Sequence, residues 1–210
     1  MRNTIWALLA SGLATGVAVA EPVDGKTAKK MLFSPRGVEL LVLPDSGLDA
    51  AQSAIIQAIL QQMKDQGLAN YYGALAVSPD FFAKMAEDPG QAALSGLLQV
   101  TEMLHNPEAA ADVALAACKK ALSPGDAPCV LAARVLPKKW EPQPVSLSVD
   151  ATRAFKNYKK GGEPKALAIS AATVSYAIAK GEGAGEAALA TCNEAAAKTG
   201  SPDCEVVIAD

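Results

Sequence analysis

The chain contains two copies of one short pattern, and this internal repeat constrains its fold more than any other feature. Each copy has an Ala-Leu-Ala segment ending in serine, a later alanine-rich segment ending in cysteine, and a second cysteine. The matched pairs are residues 72–78 with 164–170, residues 114–118 with 188–192, and Cys129 with Cys204. Their offsets are 92, 74 and 75 residues, so the first copy holds about 18 additional residues. Self-similarity of this kind predicts two tandem structural units.

The first 20 residues have the features of a secretory signal peptide. Arg2 gives the start a positive charge, residues 5–17 are mostly apolar, and residues 18–20 (Ala-Val-Ala) fit the small-x-small cleavage pattern. A membrane anchor is the competing interpretation, but the apolar stretch is shorter than the roughly 20 residues that a spanning helix needs. We therefore predict cleavage before Glu21, no stable membrane insertion of the mature chain, and a periplasmic or secreted location.

Four cysteines in an exported chain predict two disulfide bonds, because the compartment is oxidising and the number is even. Three pairings are possible. The repeat favours one bond within each copy, Cys118 with Cys129 and Cys192 with Cys204. No metal site is predicted, since the cysteine spacing is not that of paired thiolate ligands and His105 is the only histidine.

The hydrophobic periodicity predicts an α+β fold made of two tandem β-α-β-β-α-β units. In each unit we expect an alanine-rich helix packed on a mostly antiparallel sheet, with one local disulfide. The expected strands are residues 38–43, 70–78, 97–104 and 129–135 in the first unit, and residues 145–149, 165–170, 173–179 and 204–209 in the second. The first cysteine-bearing helix is expected to begin at Asn106 and Pro107, a cap residue followed by proline.

Domain boundaries follow from the repeat and from a segment with three prolines. The predicted parts are the signal peptide (residues 1–20), the first unit (21–136) with an insertion near 80–95, the linker (137–144) and the second unit (145–210).

The charge balance argues against nucleic acid as a partner. The formal net charge is −3, and removal of the first 20 residues, whose one charged residue is Arg2, makes it −4. The short lysine clusters within residues 119–120, 138–139 and 156–160 are separated along the chain, and we interpret them as solvated faces.

The sequence offers no recognisable catalytic constellation, so no catalytic or cofactor-binding residue is predicted. The glycine-rich run at residues 181–185 stands where phosphate loops occur, but the P-loop lysine is absent and nearby glutamates would repel phosphate. His105 is the only side chain with an ordinary pKa near neutrality, and a hydrolase would need it. We interpret the carboxylate pairs at residues 87–88 and at Glu39 with Asp45 as solvated surface residues.

Three aromatic residues, Tyr71, Tyr72 and Trp140, are predicted as exposed contacts with a partner. An aromatic side chain in a proline-rich linker either packs between the two units or forms a binding hot spot. Both interpretations stay open from the sequence.

The repeated pattern resembles a family of small, uncharacterised exported bacterial domains. It consists of a strand ending in Ala-x-Ala-x-Ser, an alanine-rich helix with a late cysteine, and a strand opening Cys-x-Val or Cys-Val. Chains similar from residues 21–25 to the Cys-x-Val-x-Ile-Ala-Asp ending sometimes carry the name 5-aminolevulinate synthase. That enzyme family is cytosolic, is about twice this length, and binds pyridoxal phosphate through a lysine Schiff base. No segment here matches its cofactor-binding pattern, so we expect neither its activity nor its cofactor.

These observations favour an exported, non-catalytic module that binds a protein or another envelope component and holds no cofactor. The alternative is an enzyme, either a 5-aminolevulinate synthase or a hydrolase that uses His105.

Overall fold

The computed structural model describes residues 21–210, so the predicted signal peptide lies outside the described part of the chain. Within it the chain forms seven α-helices and two antiparallel sheets. The helices are α1 (Gly25–Met31), α2 (Ala50–Asp65), α3 (Asp80–Glu87), α4 (Pro89–Leu94), α5 (Pro107–Ala121), α6 (Val149–Tyr158) and α7 (Ala184–Ala197). The strands are β1 (Val38–Val42), β2 (Gly73–Val77), β3 (Leu98–Thr101), β4 (Val130–Pro137), β5 (Lys165–Ser170), β6 (Tyr176–Lys180) and β7 (Cys204–Ala209). None of the helices between residues 21 and 210 combines the length and the apolarity that crossing a membrane requires.

The first sheet has the strand order β1-β4-β2-β3 and carries a helix on each face. Its strand β2 is buried throughout, because successive side chains point to opposite faces and both faces are covered. Leu75 and Val77 pack with α2 in one apolar cluster, whereas Ala74 and Ala76 pack with α5 in another. The small alanine side chains let the cysteine-bearing helix α5 lie close to the sheet.

The second sheet has the strand order β6-β5-β7, and β5 is likewise buried throughout. Leu167 and Ile169 pack in one cluster with residues of α6 and α1. Ala166 and Ala168 face the opposite side and pack with α7. The α+β class and the antiparallel pairing predicted from the periodicity are therefore confirmed.

The two sheets share the position of one irregularity. The register between β2 and β4 shifts between Leu75 and Ala76. The register between β5 and β7 shifts between Leu167 and Ala168. These residues match at the offset of 92 found in the sequence repeat.

Two disulfide bonds connect helices to strands. Cys118 in α5 bonds to Cys129, which immediately precedes β4, with Cα atoms 6.1 Å apart. Cys192 in α7 bonds to Cys204 at the start of β7, with Cα atoms 6.0 Å apart. The observed pairings are those that the repeat favoured.

The insertion predicted near residues 80–95 forms the short helices α3 and α4 between β2 and β3. Phe81 and Phe82 are buried in the cluster shared with α2, with ring centroids 5.5 Å apart. The insertion therefore extends the core of the first sheet.

The strand predicted at residues 145–149 is wrong. Residues 145–148 have no regular secondary structure, and the chain enters α6 with Ser148 as its cap. Val145 and Leu147 are nevertheless buried in the cluster beneath α6. The alternation that suggested a strand therefore reflects apolar side chains anchoring an irregular segment.

Residues near the start of the described chain pair with strand β7 at the edge of the second sheet. The Val23 amide donates to the Val207 carbonyl at 3.1 Å, and the Ala209 amide donates to the Val23 carbonyl at 3.0 Å. Ala28 of α1 is buried in the cluster with α6. The predicted first unit, residues 21–136, therefore includes a segment whose contacts lie with the second sheet.

Candidate functional site

The aromatic residues predicted as partner contacts lie mostly inside the protein. Tyr71 and Tyr72 are 1% and 0% exposed, so the expected exposure of both rings is wrong. Their rings pack edge to face at 5.2 Å within the cluster beneath α5. Trp140 is half-buried against the same cluster and lines a small pocket of about 170 Å³ at the start of α5. Of the three, Trp140 keeps a partly accessible ring.

His105, in the segment between β3 and α5, is fully buried. The Ser148 amide donates to its Nδ1 at 3.2 Å, and its Nε2 lies 3.1 Å from the Ser175 carbonyl oxygen. Since the amide can only donate and the carbonyl can only accept, the neutral ring carries its proton on Nε2. Burial lowers the pKa of His105 to about 4, against the opposing effects of the hydrogen bond that the ring donates to the Ser175 carbonyl and of the charge of Asp203. Both nitrogens are therefore engaged by backbone groups in the interior of the protein.

The remaining features singled out in the sequence have local structural roles. Gly183 adopts a left-handed conformation as the cap of α7. The Asp88 carboxylate accepts from the Gly90 and Gln91 amides at the start of α4. The Glu39 carboxylate accepts from the Lys139 amide at 3.1 Å. These contacts give the residues a structural role that requires no ligand.

Several charged side chains surround a concave surface where α1, α6 and β5 meet. We call it the lysine pocket, and its volume is about 280 Å³. Its lining residues are Gly25, Lys26, Lys29, Tyr158, Lys159, Glu163, Lys165 and Asp210. They come from distant parts of the sequence, so the pocket exists only in the folded chain.

The base of the lysine pocket is a buried polar cluster centred on Asp210. Its carboxylate accepts from the Gly25 amide at 2.9 Å and from the Tyr158 hydroxyl at 2.9 Å. The Lys165 ammonium lies 3.4 Å from the same carboxylate and 5.2 Å from the centroid of the Tyr158 ring. The Asp210 charge is thus satisfied from within the protein.

These contacts control the protonation of the cluster. Burial alone would raise the pKa of the Asp210 carboxyl. The hydrogen bonds from Gly25 and Tyr158 and the charge of Lys165 outweigh burial and hold that pKa below its ordinary value. Burial, followed by the hydrogen bond to Asp210, raises the pKa of Tyr158. Near neutral pH the cluster therefore contains a carboxylate and a neutral phenol.

The rim of the pocket carries exposed cationic side chains. Lys26, Lys29 and Lys159 are exposed, and within residues 21–210 none of them forms an ion pair at 4.0 Å or less. Glu163 is the exposed carboxylate among the lining residues. The pocket therefore presents positive charge to solvent in a chain whose formal net charge is −3.

Comparison with protein-family models, with curated proteins and with solved structures gave no match. The candidate site therefore rests on the geometry of this chain.

The first sheet lacks the polar pair that forms the base of the lysine pocket. In the second sheet, Lys165 and Asp210 exchange both backbone hydrogen bonds, at 2.9 and 3.0 Å. At the matching register in the first sheet stand Gly73 and Val135. The charged pair therefore occurs at this register in the second sheet and not in the first, so antiparallel pairing at this register does not depend on it.

A larger pocket of about 410 Å³ lies beside the first disulfide. Its lining is mostly apolar, including Leu43, Leu115 and Leu131, and Asp45 is its charged residue. The lysine pocket carries more of the polar groups that orient a ligand, and we therefore select it as the candidate site.

Sequence reasoning missed the lysine pocket. Gly25 and Asp210 are 185 residues apart in the sequence, so no local motif joins them. One signal was present: Lys165 opens a strand whose other residues are small or apolar, and the matching position of the first copy is Gly73. A charged residue introduced into one copy of a buried strand indicates a specific polar environment.

Replacement of Gly25 by alanine is expected to lower the free energy of unfolding by about 1–3 kcal/mol. An added Cβ would lie 2.8 Å from Asp210 Oδ2 and 2.8 Å from Tyr158 Cε1, closer than packed atoms tolerate. Urea unfolding of the two proteins measures the difference. Gly162→Ala is the matched control, because a Cβ there meets nothing within 4 Å, and its effect should stay within about 0.5 kcal/mol. Equal stability of both variants would contradict the close approach.

Proposed function

We propose that this chain is an exported, non-catalytic binding module that uses the lysine pocket to bind an envelope component or a protein. The observation that carries the proposal is the convergence of Lys26, Lys29, Lys159 and Lys165 on one open pocket. The half-buried Asp210 and the buried Tyr158 form its base through their hydrogen bond. A surface that presents fixed charge in this way suits recognition of a complementary ligand.

The proposal includes the tandem organisation predicted from the sequence. Support comes from the disulfide that links helix to strand in each sheet, and from the register shifts at Leu75 and Leu167. In this interpretation the second unit has lost its first strand, and the segment around Val23 takes the edge beside β7. The pocket then combines residues of the second unit with Gly25, Lys26 and Lys29 of the segment that packs on it.

Export is supported by the sequence of residues 1–20 and by the two disulfide bonds, which persist in oxidising compartments. The enzyme alternative that uses His105 gains no support, because both ring nitrogens are bound to backbone groups in the interior. The 5-aminolevulinate synthase alternative gains none either, since Lys165, the buried lysine of the pocket, is paired with Asp210.

The test uses the protein recovered from the periplasm after expression of the full sequence, whose intact mass should correspond to a chain starting at Glu21. This protein should bind envelope fractions of the producing bacterium. The triple variant with Lys26, Lys29 and Lys159 replaced by alanine should lose most of that binding.

The matched control replaces Lys119, Lys120 and Lys138, three exposed lysines outside the pocket, and should keep the binding. Two results would overturn the proposal. One is recovery of full-length protein in the membrane fraction, and the other is equal binding by the two triple variants.

A further inference from the structure

We propose that the lysine pocket binds a phosphate group, carried by a small molecule or by a lipid head group. The inference deepens the proposed function and rests on it for the choice of site. It names the chemistry of the ligand.

The charge of the lining matches a dianion. Four lysines against the two carboxylates of Glu163 and Asp210 leave a net side-chain charge of +2. A phosphate monoester carries about −1.5 to −2 at pH 7. Because Asp210 already accepts from three donors inside the protein, it adds little repulsion at the rim. One phosphate group would therefore neutralise the pocket.

The type of cation in the lining is one that binds phosphate. All four cationic residues of the lining are lysines. Arginine offers a planar fork that fits carboxylate and phosphate alike in two parallel hydrogen bonds, whereas lysine binds phosphate as a compact point charge with three rotatable donors. Point charges placed around a pocket suit a tetrahedral anion, whose oxygens point in several directions.

The spacing of the rim lysines points to a bound anion. Lys26 and Lys29 stand three residues apart on α1, so their side chains share one face of the helix. Like charges at this spacing repel each other, and α1 is only 7 residues long. An anion between them and Lys159 would replace the repulsion by attraction, and would secure α1 against α6.

The size of the pocket limits what enters it. Its volume of about 280 Å³ lies just below the range of about 300–1,000 Å³ that is usual for pockets enclosing a whole small molecule. The pocket therefore accommodates one charged group, while the rest of a larger ligand remains outside.

Calorimetric titration of the mature protein, residues 21–210, at low ionic strength tests this inference. The soluble probes are inorganic phosphate, glycerol 3-phosphate and malonate, a planar-carboxylate dianion of matched charge. The membrane probes are phosphatidylcholine vesicles with and without phosphatidic acid. We expect saturable binding of at least one phosphate-bearing probe, at least about threefold tighter than malonate.

The triple variant with Lys26, Lys29 and Lys159 replaced by alanine should bind that probe at least about tenfold more weakly. The control with Lys119, Lys120 and Lys138 replaced should change by less than about twofold, and Lys29→Arg should stay close to the unmodified protein. Binding of glycerol 3-phosphate alone would identify a soluble ligand. Binding of phosphatidic acid vesicles alone would identify a lipid head group, and both results support phosphate recognition.

Three results would overturn the inference: no saturable binding of any phosphate-bearing probe, equal affinity for malonate, or equal loss in the two triple variants. Its failure is distinguishable from failure of the proposed function. If envelope binding depends on the pocket lysines but phosphate does not bind, the function stands and the phosphate assignment falls.

Discussion

Acidification from pH 7 to pH 4 is expected to lower the free energy of unfolding by about 3 kcal/mol through His105 alone. Burial lowers the pKa of His105 to about 4 in the folded protein, against an ordinary value of 6.5. The unfolded chain therefore binds the proton first. The contribution of His105 is complete above pH 6.5, is lost as the pH falls from 6.5 towards 4, and changes little at lower pH.

Urea unfolding at a series of pH values measures this loss. Carboxylates titrate in the same range, so the readout is the difference between the unmodified protein and His105→Gln. The glutamine amide can donate and accept hydrogen bonds but does not titrate. The His105→Gln profile should be flatter by about 3 kcal/mol over this range. Parallel profiles for the two proteins would contradict the buried, neutral histidine.

Replacement of both cysteines of one disulfide by alanine is expected to lower the free energy of unfolding by about 3 kcal/mol. The bonds Cys118–Cys129 and Cys192–Cys204 close loops with sequence separations of 11 and 12 residues. Without the bond the unfolded chain gains the freedom that loop closure had removed, and loops of such similar length should give similar losses.

Chemical unfolding without reductant compares the unmodified protein with the variants lacking either pair. Replacing both cysteines of a pair leaves no free thiol to form a new bond. Addition of reductant to the unmodified protein should produce the combined loss of the two variants. A change of less than about 1 kcal/mol in either variant would contradict the expected role of its bond.

Much of the fold follows from local patterns in the sequence. The ends of β5 and β7 agree with the expected strands at residues 165–170 and 204–209. Asn106 caps α5 by accepting from the Ala109 amide, and Pro107 occupies the first turn, as the sequence suggested. In these places the local preference and the tertiary structure agree.

At other positions, contacts between distant segments determine the local structure and the burial of side chains. Residues 145–149 alternate as a strand would, yet the edge beside β7 is occupied by Val23 from the other end of the chain. Tyr71 and Tyr72 adjoin polar residues in the sequence, but the cluster beneath α5 encloses both rings. Pairings between distant segments override local pattern at such positions.

The lysine pocket lies beyond local pattern for the same reason. The hydrogen bond between Tyr158 and Asp210 spans 52 residues, and the one between Gly25 and Asp210 spans 185. Comparison of the two copies indicates the position of the pocket. The paired residues Gly73 and Val135 of the first sheet correspond to Lys165 and Asp210 in the second sheet.

The packing of α1 on the second sheet constrains the order in which parts of the protein can fold. The partners of this segment include Val207, Ala209 and Asp210, and the contact between Gly25 and Asp210 spans 185 residues. Residues near position 25 must therefore wait until residues 207–210 have been synthesised, and contacts of such long sequence separation form slowly. Because α1 supplies Lys26 and Lys29, the proposed binding pocket is complete only when this docking step has occurred. Ligand binding to the proposed site would then depend on α1 having docked on the completed second sheet.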